Sequence, residues 1–285
     1  MKRKSLKFIC TTLIISIAGA VFVGCGNSST EGNSEGGNST DKATISISGS
    51  TSVGPLMGKL AEKYENENTN VSIEINEVGS SAGIKDTING VSEIGMSSRE
   101  LKSEEESLVK ATTIAYDGIA IITNKNNPIK NITIEQIKEI YTGKIKNWNE
   151  IEGGKDAPIV VVSREEGSGT RDAFQEIIGY KSDELEPTTM IANATGAVKQ
   201  TVIGNENSIG FVSFEYLDDE INVLNVENVE PKAELVQSGK YKISRPFIVV
   251  SKEGTLSEEG QKFIDFILGE EGQTMVKDNK AIPVK

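Results

Sequence analysis

From Ala43 onward, short runs of alternating apolar and polar residues trade places with stretches of helical spacing. Ala43-Thr44-Ile45-Ser46-Ile47-Ser48 alternates with period two, as a half-buried strand does. Val53, Leu56, Met57, Leu60, Ala61 and Tyr64 follow at the spacing of one helix face. Val71, Ile73 and Ile75 alternate again, and Ile84, Ile88 and Val91 return to helical spacing. The same reading predicts strands at Gly118–Thr123, Pro158–Ser163, Ser208–Val212 and Pro246–Val250. It predicts helices at Ile134–Tyr141, Thr170–Ile178, Ala197–Val202 and Glu258–Leu268. Alternating β and α segments imply an α/β fold with a largely parallel sheet. The pattern shows no internal repeat and no coiled coil.

The first 41 residues read differently. Lys2, Arg3, Lys4 and Lys7 precede an apolar run from Phe8 to Val23, which ends at Gly24-Cys25. A basic start, a short apolar core and a small residue before the cut describe a secretory signal over residues 1–24. The run is shorter than the roughly 20 residues of a spanning helix. Phe22-Val23-Gly24-Cys25 resembles a bacterial lipobox, with Phe22 where Leu is usual, and marks Cys25 for lipid attachment. An ordinary cleaved signal with an incidental cysteine is the alternative. A lipid on Cys25 would anchor the protein to the outer face of the membrane without spanning it. Residues 26–41, GNSSTEGNSEGGNSTD, hold no apolar residue, so 25–42 is expected to be a flexible tether.

Composition narrows the function. At about 150 residues per domain, a chain of 285 residues suggests two domains or one large one. There is no histidine, which excludes Ser-His-Asp and Cys-His nucleophilic systems and histidine-ligated metal sites. With Cys10 inside the signal, no disulfide framework is possible. The formal charge of -12 argues against general nucleic-acid binding. Removing the four cations of residues 1–24 leaves 26 basic against 42 acidic residues, a charge of -16. On its face that balance argues against any anionic ligand.

Three turns between a predicted strand and a predicted helix contradict that inference. They are Gly49-Ser50-Thr51-Ser52, Gly79-Ser80-Ser81-Ala82-Gly83 and Arg164-Glu165-Glu166-Gly167-Ser168-Gly169-Thr170. Each sets hydroxyls and glycine at a helix N-terminus, where free amides and the helix dipole favour negative charge. Glycine lets a ligand approach the backbone, and hydroxyls add neutral donors. Arg164 adds a planar fork suited to phosphate or carboxylate. Taken singly, each turn reads first as a plain N-cap, and Arg164 has the alternative of a surface ion pair with Glu165 or Glu166. No Walker A loop is present, since Gly58-Lys59, Gly143-Lys144 and Gly239-Lys240 are not followed by Ser or Thr.

These turns, with Ile140-Tyr141-Thr142-Gly143-Lys144-Ile145-Lys146-Asn147-Trp148 and Ser208-Ile209-Gly210-Phe211-Val212, resemble the substrate-binding protein of the bacterial ABC-type phosphate transporter in its lipoprotein form. The resemblance covers essentially all of residues 43–285. It implies a two-lobed, type II periplasmic-binding-protein-like fold with a hinge and an interlobe ligand cleft. One lobe would comprise 43–120 and 245–285, the other 121–244, with hinge crossings near Ile121 and Arg245. The Tyr141–Trp148 block is the most distinctive motif, and its own role reads as structural.

The function implied is binding of inorganic phosphate outside the cell and delivery to the permease subunits of an ABC importer. Phosphate would be held by Thr51, Ser52, Ser80, Ser98, Arg164, Ser168, Gly169 and Thr170. Ser98 stands where well-known members of the family carry an Asp that accepts the phosphate proton and rejects sulfate. Asp117 is a candidate substitute, and Arg99 either pairs with it or touches the anion. An inter-element ion pair is the alternative for both. No catalytic residue, metal or cofactor is implied, nucleic acid is not a partner, and a monomer is expected. A protein for another oxyanion, such as sulfate or molybdate, is the competing reading, against which Arg164 counts. A phosphate-ester hydrolase is disfavoured by the lack of a nucleophile with a base or a metal cluster.

Overall fold

The computed structural model describes residues 42–284. The expected signal segment, Cys25 and the tether through residue 41 lie outside the described residues. The chain starts with β1 (Ala43–Gly49), α1 (Gly54–Glu67), β2 (Val71–Glu77), α2 (Ser80–Ile88) and β3 (Ile94–Ser97). A long strand, β4 (Lys110–Asn124), leads to β5 (Asn131–Ile132) and α3 (Ile134–Tyr141). Then come β6 (Val160–Arg164), α4 (Gly169–Ile178), β7 (Met190–Ala192), α5 (Thr195–Gly204) and β8 (Ser208–Ser213). After β9 (Ile221–Val223), β10 (Asn225–Val226) and α6 (Ala233–Gln237), the strand β11 (Ser244–Ser251) returns and α7 (Glu258–Leu268) and α8 (Glu270–Asp278) close the chain.

The apolar face read for α1 is the buried one, whereas Val91, read together with Ile84 and Ile88, lies past the end of α2 and is 71% exposed. Leu56, Met57, Leu60, Ala61 and Tyr64 of α1 are all buried. Helix α3 is helical over the predicted span, fixed at its start by a capping box between Thr133 and Gln136. The distinctive Tyr141–Trp148 block is structural. Trp148 is fully buried and donates from its indole nitrogen to the Asn207 carbonyl at 2.9 Å. Tyr141 donates to the Val162 carbonyl at 3.1 Å.

Hydrogen-bonded strands follow the order β2-β1-β3-β11-β4-β8-β6-β7, with β9 joining β4. Pairing is parallel at both flanks, β1 with β2 and β3, and β6 with β7 and β8. It is antiparallel in the middle, β11 with β3 and β4, and β4 with β8 and β9. The sheet is therefore mixed rather than largely parallel. Strands β4 and β11 carry the chain directly from one core to another in opposite directions, so they pair antiparallel without a crossover helix.

Two main apolar cores result. The first gathers Ile45, Leu56, Leu60, Ile94, Ile114, Ala115, Phe247 and Phe263. The second gathers Ile119–Ile122, Tyr141, Trp148, Phe174, Phe211 and Ile243. Strand β4 leaves the first core at Ala115 and joins the second at Ile119, while the return runs from Ile243, just before β11, to Phe247 within it.

Between those points, directly opposite each other on the two strands, stand Asp117 and Arg245. Arg245 donates to Asp117 at 3.1 Å, and the Ser213 hydroxyl and Phe214 amide also donate to that carboxylate. Asp117 is 0% and Arg245 3% exposed. Burial pushes the Asp117 carboxyl above its ordinary range, against the pull of Arg245 and the Ser213 and Phe214 donors. Burial likewise lowers the Arg245 guanidinium. Such a pair adds little net stability, yet removing one partner strands the other charge. Asp117→Ala is accordingly expected to cost about 3–5 kcal/mol in denaturant unfolding. A loss under about 1 kcal/mol would show that Arg245 finds other compensation.

Candidate functional site

Each turn singled out in the sequence lies at the carboxyl end of a strand, where open α/β sheets bind ligands. The first follows β1, the second β2 and the third β6. Helices α1 and α2 start from N-caps Val53 and Gly79 with no side-chain cap, so Ser52 and Ser80 do not serve as plain caps there. Only Ser168 does, accepting from the Arg171 amide at 3.3 Å. Gly79 takes a φ of 93°, which turns the chain sharply into α2.

The hydroxyls meet one another across the gap between the cores. Ser52 Oγ lies 2.7 Å from Thr170 Oγ1 and 2.7 Å from Thr195 Oγ1. Thr51 Oγ1 lies 3.1 Å from Thr195 Oγ1 and accepts the Thr195 amide at 3.2 Å. Ser98 Oγ accepts from Ser50 Oγ at 2.9 Å and lies 3.3 Å from Ser80 Oγ. Thr170 Oγ1 reaches Ser98 Oγ at 3.5 Å, closing the ring. Gly169 lets the two sides come this close, because a Cβ there would lie 2.3 Å from Ser80 Oγ. The Ser81 amide also donates to the Gly167 carbonyl at 3.1 Å.

Arg164 supplies the charge. It is 1% exposed, so it is not the surface residue of the alternative reading, although it does pair with Glu165. Its Nε and Nη2 donate to the two Glu165 oxygens at 2.8 and 2.7 Å, and Nη1 donates to Thr195 Oγ1 at 2.9 Å. Arg171 in turn donates to the Arg164 carbonyl at 3.2 Å.

The structure therefore gathers Thr51, Ser52, Ser80, Ser98, Arg164, Gly169 and Thr170 into one buried cluster. Ser168 sits at its edge, 1% exposed and bonded within its own helix. Thr195 was not anticipated. It follows the three-residue strand β7, too short to alternate visibly, and the spacing placed the start of this helix at Ala197 rather than Thr195. The signal available was a further hydroxyl residue next to a glycine before a helix, Thr195-Gly196. Asp117 stands outside the cluster, held by Arg245, Ser213 and Phe214. Arg99 does not pair with it. Arg99 forms a double hydrogen bond to Glu105 at 2.8 and 2.9 Å and an ion pair to Asp172 of α4 at 3.2 Å. Both residues follow the inter-element alternative, Arg99 as a tie from the first side of the gap to α4.

A cavity of about 610 Å³ lined by Phe214, Leu217, Lys232, Lys277 and Ile282 contains no cluster residue. Chemistry rather than empty volume thus locates the site. Among the described residues, no group of Cys, Asp or Glu is placed to hold a metal ion. No helix of the described residues is long and apolar enough to cross a membrane.

Comparison with known proteins places this geometry in context. A family model described as a PBP superfamily domain matches residues 34–271. The phosphate-binding protein PstS of Bacillus subtilis is 33% identical over 99% of this chain and 95% of its own length. That of Borreliella burgdorferi is 30% identical over 87% of this chain and 92% of its own. In structure, the chain is similar to a Clostridium perfringens protein described as a phosphate ABC transporter substrate-binding protein and crystallised with bound phosphate. The TM-score is 0.84 and the identity 58%, over 85% of this chain and all of that one. An ABC-type phosphate transport receptor from Vibrio cholerae superposes with a TM-score of 0.71 at 35% identity, over 85% of this chain and all of that one.

One acidic group beside the cluster is set apart by its surroundings. Glu215 lies in the 3-10 turn Phe214–Tyr216, whose Tyr216 hydroxyl donates to the Thr51 carbonyl at 2.8 Å. Both Glu215 carboxylate oxygens are shut from solvent without a hydrogen-bond partner among the described residues. Burial and the nearby Asp117 push this carboxyl up to about 9, against the attraction of Lys59 and Arg245. A carboxyl raised on folding holds its proton more tightly in the folded chain. Its contribution is complete below the unfolded carboxylate value near 4.3 and is lost as pH rises towards about 9. With no histidine in the chain, few other side chains titrate in that window. Denaturant unfolding from pH 5 to 9 is expected to show wild-type stability falling, and Glu215→Gln falling less. Parallel curves for the two proteins would disprove the assignment.

Proposed function

The chain belongs to the phosphate-binding proteins of the PBP superfamily, and we infer that it binds inorganic phosphate and delivers it to an ABC-type importer. It works outside the cell and is not an enzyme. The observation that carries this reading is the ring of hydroxyls and helix N-termini drawn from both cores around buried Arg164. Such a ring offers neutral donors and one cation to a small tetrahedral anion, and no nucleophile activated by a base.

In this reading Thr51, Ser52, Ser80, Ser98, Arg164, Ser168, Gly169 and Thr170 hold the ion. Backbone amides at the starts of α1, α2 and α4 supply further donors. Residues 43–120 with 245–285 form one lobe and 121–244 the other. Each lobe supplies part of the donor set, so phosphate is held only when the lobes close. The separate cores, joined through β4 and β11, support that division. A lipid on Cys25 holds the protein to the outer face of the membrane, and the tether of 25–42 lets the monomeric lobes reach the permease subunits. The chemistry of residues 1–41 supports this part of the reading, through its basic start, apolar run, Cys25 at the end of that run, and polar tract.

Calorimetric titration is expected to give one phosphate per chain, with sulfate and molybdate bound far more weakly. Equal affinity for sulfate would overturn the selectivity. Arg164→Ala removes the charged partner of a buried anion and is expected to cost about 2–5 kcal/mol of phosphate binding. Wild-type affinity in that variant would remove Arg164 from the site.

A further inference from the structure

Thr195 shares more partners with the phosphate residues than several of those residues share with one another. It is 0% exposed, and its hydroxyl oxygen is within hydrogen-bond distance of Ser52, Thr51 and Arg164. Those three belong to two turns on opposite sides of the gap. The Thr195 hydroxyl thus sits between Ser52 and Arg164, two residues assigned to the ion from opposite sides.

Its bonding also separates Thr195 from an ordinary helix start. A threonine kept for helix stability turns its hydroxyl back to an amide of its own first turn. Helix α5 has no side-chain cap, its N-cap being Ala194. Every hydrogen bond of the Thr195 side chain instead goes to another residue of the site. Its backbone amide points the same way and donates to Thr51 Oγ1 at 3.2 Å.

The guanidinium shows what this arrangement does. Glu165 takes Nε and Nη2 of Arg164, which leaves Nη1 as the nitrogen with no carboxylate on it. That nitrogen carries two N–H groups, and one of them goes to Thr195. The bond fixes the plane of the fork and directs the second N–H. A hydroxyl that accepts from a cation also turns its own hydrogen away, towards the Ser52 side.

We propose that Thr195 is a phosphate-binding residue on a fourth turn, whose hydroxyl also sets the direction in which Arg164 presents its free N–H to the anion. This rests on the phosphate reading above and extends its site. Helix α5 then becomes a fourth N-terminus directed at the ion, the second after α4 from that side of the gap.

The test compares Thr195→Val, which keeps the shape without the hydroxyl, with Thr195→Ser, which keeps the hydroxyl. Phosphate affinity is read by calorimetry, and melting temperature is measured without ligand. Thr195→Val is expected to weaken phosphate about 10–100-fold, with a ligand-free melting temperature close to wild type. Thr195→Ser is expected to stay within about threefold of wild type. In an Arg164→Ala background, Thr195→Val is expected to cost a clearly smaller factor, as coupled partners do. Undiminished binding by Thr195→Val, or an equal loss in both variants, overturns the proposal. A fall in affinity matched by a fall in ligand-free melting temperature assigns Thr195 a structural role and overturns it as well. An equal factor in the Arg164→Ala background overturns the orienting role. Wild-type protein that fails to bind phosphate overturns the functional reading together with this one, whereas the other outcomes bear on Thr195 alone.

Discussion

A helix leaves the amides of its first turn without partners, and this fold points several such ends at one place. Helices α1, α2 and α5 start without a side-chain cap, and with α4 they begin at residues of one buried cluster. Away from the cluster, α3 and α7 are capped by Thr133 and Ser257, while α6 and α8 start without a side-chain cap as well. Omitting a cap forgoes about 1 kcal/mol of helix stability. The omission is useful only if something else accepts from those amides, and an anion is the natural acceptor. Because these helices come from both cores, an anion held among them would join both sides, and in the proposed reading binding and closure are one event.

The same constraint reconciles an acidic chain with an anionic ligand. A formal charge of -12 produces a repulsive field at long range, which bears on solubility and on rates of approach. At short range inside a buried ring, fixed dipoles dominate, since surrounding water no longer screens them. Even Arg164 arrives with its charge largely matched by Glu165, so the ring is close to neutral before any ion enters. A site of that kind recognises its ligand by the number and direction of its donors. Asp117, fully buried near the gap, is tied to Arg245 and so is kept from repelling the ion.

How much of this was legible in the sequence depended on whether the signal was local. Helix α1 and strands β1 and β2 could be read from their spacing, because their apolar positions recur at the period of the element that forms. The three turns were legible because glycine and hydroxyl residues sit together within a few positions. The mixed sheet was not legible, since nothing in the β4 run says that Gly118 and Ser244 will pair. The same holds for Asp117 and Arg245, which are 128 residues apart and meet only once both crossing strands are in place. Spacing also started the β4 reading too late, giving strand only from Gly118, although the strand starts at Lys110.

Thr195 shows where the local signal gives out even for a residue of the right type. Strand β7 is three residues long, and its Met190 and Ile191 are both exposed, so it has neither alternation nor a buried face. Its existence depends on parallel pairing with β6, which sets Ala192 beside Arg164. That pairing is what carries Thr195, three residues farther on, to the Arg164 guanidinium. The position of the fourth turn is therefore a consequence of sheet register, a property no short window contains. Hydroxyls at strand ends can be found by eye along a chain, but which of them share one anion is decided by the strands that lie between them.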